Sequence, residues 1–377
     1  MIVQQSELTV INLEALVADL SDPDRALFER LFRVGTHVGQ LVPPSSMYPW
    51  IERQFGSLET VTEQRVVRVT NLHTLDDALF NEVRARRPME MQNGFRPEEF
   101  APGSNDPLAA PLEGTPADAF GRIEGRFSIT ASNVAKPDAI SGLVVFREAN
   151  PLHFTREHVI DYIETATRWA EAAHRHDPSA RYYLFMWNCL WRAGASLTHG
   201  HAQMMVGRGM HYGKVEHLRL TALRYREQYG SNYFDDLYRA HELVGCAFRH
   251  GGIRFLAHLT PVKEKETLLI GDRLDQHLMS SIYDVLACLR DDLGVRSFNL
   301  AIYMPPLGPT DEDWSGFPVL VRIVDRGDYN NRTSDIGAME LYAASIISSD
   351  PLTVARHLCR HFQGPQPGIA KNGDGAM

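Results

Sequence analysis

The stretch that most constrains this chain runs from Trp187 to Val206, WNCLWRAGASLTHGHAQMMV. Its centre is His199-Gly200-His201-Ala202-Gln203, followed at once by Met204, Met205 and Val206. In an extended segment the side chains alternate between two faces with period two. His199, His201 and Gln203 then share one face, and Gly200, Ala202 and Met204 the other. Two imidazoles and a carboxamide in file, on an otherwise apolar strand, are hard to explain as packing. An unprotonated imidazole can attack phosphorus, and a neutral amide beside it can hydrogen-bond a phosphoryl oxygen without supplying a base. With 16 His in 377 residues, chance supplies about 0.7 His-x-His pairs, and requiring Gln two places further on lowers this to about 0.02. His174-Arg175-His176, near the end of a helical pattern, is read as one such accident.

The surrounding residues extend the pattern. Asn188 lies eight residues before Ser196, and Gly194-Ala195-Ser196 leads into the histidines. Upstream stand Ser132-Asn133, the apolar run Gly142–Phe146 and a helical pattern; downstream, 259–270 reads as strand, turn and strand. This layout resembles the histidine-triad superfamily, and within it the galactose-1-phosphate uridylyltransferase branch, whose motif is His-x-His-x-Gln. The resemblance covers about residues 60 to 345, with its strong motifs in the first half.

The resemblance implies an α+β fold of two half-barrel lobes, antiparallel sheets with flanking helices, related by an internal pseudo-duplication. It divides the chain into an extension over 1–60, a catalytic lobe over 61–210, a second lobe over 211–363 and a disordered tail over 364–377. A homodimer with the active site close to the interface is part of the same expectation. It makes His201 the nucleophile that carries a nucleotidyl group, with Gln203 holding a non-bridging oxygen. His199 positions His201 through its backbone carbonyl. Ser196, with the backbone around Gly194 and Ala195, contacts the leaving phosphate, while Asn188 and Asn133 serve the nucleotide.

The implied reaction is double displacement on a nucleotide sugar or dinucleotide, with a phosphate or sugar-phosphate acceptor and no cofactor. A hydrolase of the same superfamily is the alternative, disfavoured by the neutral Gln203. A catalytically inactive nucleotide-binding protein is a further one, disfavoured because nucleophile and neighbours are all present. In the second half the branch's His-x-His pair is replaced by Val321-Arg322-Ile323 or a neighbour, which puts a galactose phosphate acceptor in doubt. Arg322, Arg326 and Arg332 are candidates for another phosphorylated acceptor.

Many members of the branch hold a structural zinc through an N-terminal Cys pair, a His and the first His of the motif. Here Cys189, Cys246, Cys288 and Cys359 are scattered without a Cys-x-x-Cys, and the branch's His falls on Asn150. His199 alone cannot build a tetrahedral site, so no metal is expected, with His153 the nearest substitute ligand. Scattered cysteines read as buried free thiols.

A net charge of -9 argues against a nucleic-acid backbone as partner. No apolar run reaches membrane-spanning length and the first residues carry no basic-then-apolar signal pattern, so no membrane is expected and the location is cytoplasmic. Along the chain, helices are expected over 13–31, 155–173, 215–227, 233–249, 274–293, 335–347 and from Asp350 to about His361. Strands are expected over 64–72, 125–130, 142–146, 182–189, 253–259, 267–270, 298–303 and 319–324. Residues 86–120, rich in Pro, Gly, Asn and Asp, read as a substrate-facing or mobile loop.

Overall fold

The computed structural model describes residues 8–86, 106–331 and 334–363. The strands are β1 Phe32–Gln40, β2 Glu63–Asn71, β3 Asp77–Phe80, β4 Ser128–Ser132, β5 Ser141–Phe146, β6 Ala180–Asn188, β7 His201–Arg208, β8 Ala247–His250, β9 Ile253–Ala257, β10 Thr267–Gly271, β11 Phe298–Tyr303, β12 Val319–Asp325 and β13 Ser345–Ile347. The larger sheet has the order β4-β5-β7-β6-β11-β12-β10-β9-β8, and the smaller β1-β2-β3-β13. The fold is α+β, with helices packed on antiparallel sheet.

The order contains the duplication. β4 and β5, the helix Arg156–His176, then β6 and β7 assemble as β4-β5-β7-β6. β9 and β10, the helix Gln276–Ala287, then β11 and β12 assemble as β9-β10-β12-β11. The two repeats meet edge to edge through β6 and β11, so they form one continuous sheet rather than two separate ones. Directly opposed residues in antiparallel strands point to the same side. The row Leu143–Gln203–Met186–Ala301–Arg322–Leu268 therefore crosses both repeats on one face. Gln203 on β7 and Arg322 on β12 hold equivalent places in it.

The back face carries the main core. Val144, Phe146, Phe185, Trp187, Ala202, Met204, Leu300 and Val321 pack against the two repeat helices. The helix Arg156–His176 starts where the Thr155 hydroxyl accepts the His158 N–H, and it buries Val159, Tyr162, Ile163, Ala166 and Trp169. Its Tyr162 ring stacks on Phe146 with centroids 3.6 Å apart. On the front, a second cluster joins Leu256, Leu268, Ile270 and Leu320 to Val67, Val69 and Phe80 of the smaller sheet. At the opposite end Leu108 covers Ile129, Ala131 and Val145. Between these covers the front face stays open: Met186, Asn188, Gln203, Asn299 and Ala301 are only partly buried.

Three segments differ from the periodicity reading. The expected 13–31 helix is two helices, Leu13–Ala18 and Asp22–Leu31, because the Ser21 hydroxyl caps a new start with Pro23 in its first turn. The expected 233–249 helix ends at Leu243; Gly245 turns with φ +77°, and the chain enters β8. In 335–347 only Ala338–Tyr342 is helical, and β13 pairs in parallel with β3 and buries Ile347. Here a distant partner outweighs local pattern. All four cysteines are free thiols, and no described helix is long and apolar enough to cross a membrane.

Candidate active site

β7 is an inner strand of its repeat, hydrogen-bonded to β5 and β6. Alternation sends Ala202, Met204 and Val206 into the main core and leaves His201 and Gln203 on the front. Just before the strand the chain is clamped: the Gly200 N–H donates to the Ala149 carbonyl at 2.8 Å, and the Gly200 carbonyl accepts the Phe146 N–H at 2.9 Å. A Cβ at Gly200 would lie 2.6 Å from Phe146 Cδ2 and 2.9 Å from the Glu148 carbonyl oxygen. Phe146 cannot yield, since it is stacked on Tyr162 and meets the Trp187 edge at 5.0 Å. Gly200→Ala is expected to destabilise the protein by about 1–3 kcal/mol, the cost of overpacking, and to displace both histidines. Denaturant unfolding together with activity checks this; unchanged stability would contradict it.

His201 is 7% exposed, and its Nδ1 lies 2.7 Å from the His199 backbone oxygen. A carbonyl only accepts, so Nδ1 carries the proton and Nε2 keeps its lone pair. Burial is the main cause that lowers the His201 pKa, which keeps the ring neutral near neutral pH. His199 is engaged at both nitrogens: Nδ1 lies 2.7 Å from Asp106 Oδ2 and Nε2 2.9 Å from the Phe146 oxygen.

Asn188 closes β6, where the register brings it beside His201 on the front face. Its Oδ1 accepts from Asn299 Nδ2 at 2.7 Å, and that amide also donates to the Ala193 carbonyl at 2.8 Å. Asn299 Oδ1 accepts from Arg326 Nη1 at 2.6 Å. Arg326 is in turn paired with Asp335 at 2.7 and 2.9 Å. A chain of side chains thus runs from the second repeat to Asn188.

The loop between the strands bends at Gly194, whose φ is +94°. The N–H groups of Gly194 and Ala195 close the loop onto the Trp191 and Leu190 carbonyls. These two donors are therefore used locally, contrary to the expectation that they face an anion; Ser196 is exposed on the same loop. Asn133 follows β4, where its N–H donates to the Ser141 carbonyl at 3.3 Å. That places it at the sheet edge, two strands from β7.

Arg322 is three strands from Gln203, about 14 Å at the usual strand spacing. Its Nε donates to Glu266 Oε1 at 2.7 Å. The Glu266 side chain is fully buried. Burial alone would raise its pKa, but the Arg322 charge and the His258 contact outweigh it and lower the pKa to about 2. Arg322 is thus committed to an internal ion pair. Because the folded pKa is depressed, the stabilisation is present above the unfolded value and is lost as pH falls from about 4.3 toward about 2. Glu266→Gln is expected to cost about 3 kcal/mol or more at pH 7, as for other broken buried pairs. It should also flatten the acid limb of the melting curve, which thermal melts between pH 2 and 7 measure. Arg332, the tail from 364, and most of the 86–120 loop lie outside the described residues.

Two groups that the sequence reading passed over are Asp106 and Asn299. Asn299 had a local signal, a carboxamide in the alternating strand FNLAIY. Asp106 had none: it touches His199 from 93 residues away. The donors expected of a zinc site do not fit one. Both His199 nitrogens are taken, and Asn150 spends its side chain on His153 at 3.2 Å and on the Leu152 N–H.

The sheet order and its duplication define the fold class, a galactose-1-phosphate uridylyltransferase-like fold shared with solved uridylyltransferase and phosphorylase structures. Among solved structures, an ADP-glucose phosphorylase from Arabidopsis thaliana with bound ADP-glucose matches 76% of this chain and 95% of its own, with TM-score 0.57 at 16% identity. A uridylyltransferase matches 79% of this chain and 98% of its own, with TM-score 0.53 at 14% identity. A GalT-like protein from Arabidopsis thaliana matches 68% and 92%, with TM-score 0.52 at 15% identity. At these identities the likeness is one of fold. No protein-family model and no curated protein matches the sequence.

Proposed function

We propose that the protein is a nucleotidyltransferase or phosphorylase that works by double displacement through a nucleotidyl-His201 intermediate. The observation that carries this reading is the 2.7 Å hydrogen bond from His201 Nδ1 to the His199 carbonyl. It ties down one nitrogen and leaves Nε2 as a lone pair on the open front face. In the first step Nε2 attacks the α-phosphorus of a nucleoside diphosphate sugar. The P–N bond forms as the P–O bond to the leaving sugar phosphate breaks, and that oxygen takes the electron pair. In the second step an acceptor phosphate oxygen attacks the same phosphorus and the P–N bond breaks. The proton stays on Nδ1, donated to the His199 carbonyl throughout, so the ring needs no proton exchange between steps.

Gln203 lies two residues on and on the same face, placed to donate its amide N–H to a non-bridging oxygen. Being neutral, it does not activate water, which favours transfer over the hydrolase alternative. The fold likeness to a phosphorylase solved with ADP-glucose supports a nucleotide sugar as donor and phosphate or a sugar phosphate as acceptor. Arg326 and Asn299 steady Asn188 from the second repeat, while Arg322 is left out of the acceptor site by its bond to Glu266.

The test is incubation with radiolabelled uridine, adenosine and guanosine diphosphate sugars. The reading expects an acid-labile, base-stable protein adduct with one of them, and parallel-line initial-rate kinetics with the acceptor. Intersecting lines without an adduct would overturn it.

A further inference from the structure

His199 is 7% exposed, and oxygens stand at both of its ring nitrogens, Asp106 Oδ2 at 2.7 Å and the Phe146 carbonyl at 2.9 Å. A carbonyl and an ionised carboxylate only accept, so complementarity assigns an N–H to each nitrogen. Asp106 is itself held. Its Oδ1 accepts the Leu108 N–H at 2.9 Å, and Leu108, 2% exposed, is packed on Ile129, Ala131 and Val145. The Asp106 side chain is 7% exposed. The carboxylate is therefore delivered to His199 by a turn anchored in its own apolar cluster.

We propose that Asp106 is a positioning residue for the nucleophile: its carboxylate locks the His199 ring, and with it the His199 backbone carbonyl that holds the His201 Nδ1 proton. The proposal rests on His201 being the nucleophile. The ring of His199 bridges the Asp106 turn to the end of β5. With both nitrogens bonded, the segment leading into β7 cannot rotate about its backbone, and His201 cannot exchange its Nδ1 bond for another partner. Nε2 then stays aimed at the front face. Burial is the main cause that lowers the His201 pKa, and the His199 charge adds to it, against the carbonyl hydrogen bond and the Asp106 charge.

Asp106→Asn and Asp106→Ala separate shape from charge. In Asp106→Asn the amide oxygen still takes the Leu108 N–H, and the amide nitrogen faces His199 Nδ1. His199 then holds its place but carries a proton on Nε2 alone. In Asp106→Ala both contacts go. Single-turnover formation of the His201 adduct is expected to slow about 10-fold in Asp106→Asn and about 100-fold in Asp106→Ala, the range seen when a partner orienting a reactive imidazole is removed. The dissociation constant of the donor should stay within about twofold, since these side chains act through His201. A second readout does not depend on turnover. Nitrogen-15 spectra of labelled imidazoles should show both His199 nitrogens protonated in the parent protein and one in Asp106→Asn, with His201 Nε2 unprotonated in the parent. Adduct formation at the parent rate in both variants, or a parent His199 with a single N–H, would overturn the proposal. A parent protein that forms no adduct would overturn the nucleophile assignment instead, while the His199 spectrum still decides the lock.

Discussion

Replacing His201 with glycine is expected to reduce turnover by about four orders of magnitude or more, the scale on which loss of a catalytic nucleophile is felt. The substitution removes the attacking nitrogen together with the ring and its bond to the His199 carbonyl, and leaves the packed face of the strand in place. The side chain stands on the front face, while Ala202, Met204 and Val206 stay packed on the opposite side. Glycine within an inner strand and the loss of a buried ring should lower the melting temperature moderately, while the affinity for the donor nucleotide should change little. A nucleotidyl imidazole derivative, offered as donor, brings its own copy of the missing ring and should restore transfer to the acceptor. Steady-state rates, calorimetric melts and that rescue assay together check the prediction. Near-normal turnover would place the nucleophile elsewhere.

Gln203→His is expected to behave differently. Its loss of a positioned amide donor should cost about two to three orders of magnitude in transfer rate, as for other oxyanion donors. The intermediate still forms, because His201 and the His199 carbonyl are untouched. The new imidazole can take a proton from water, so the intermediate drains to free nucleotide. The ratio of hydrolysed to transferred nucleotide, measured by product analysis at saturating acceptor, should rise well above that of the parent. An unchanged ratio would show that the neutral amide is not what protects the intermediate.

The difference between these two variants follows from period-two alternation, and that is why this part of the site was legible in the sequence. Placing His201 and Gln203 on one face needs only local strand geometry. So does the strand, strand, helix, strand order of both repeats, which apolar runs and caps such as Thr155 mark directly. What was not legible depends on contacts between distant segments. β1 pairs with β2 across the intervening helices, and β13 pairs with β3 although all strands of the larger sheet lie between them in sequence. Asp106 reaches His199 because Leu108 docks on β4 and β5, which no spacing rule announces.

Arg322 is the clearest case of a plausible residue put to another use. Its place in the duplicated sheet is equivalent to that of Gln203, and an arginine on a half-open sheet face invites a phosphate. The buried Glu266 beneath it claims the guanidinium instead. Burying that carboxylate unpaired would be costly, so the pair holds together the repeat that has no histidine motif. Arg326, four residues on, reaches the candidate site through Asn299 and Asn188.

The most direct measurement is to trap the intermediate and find where it sits. The protein is mixed with a nucleotide sugar that turns over, quenched rapidly in base, digested, and its peptides are sequenced by mass spectrometry. The account predicts one nucleotidyl group per chain, on His201 in the peptide that spans His199 to Gln203, and none in His201→Gly. A nucleotidyl group on any other residue, or full turnover with no protein-bound nucleotide, would contradict it.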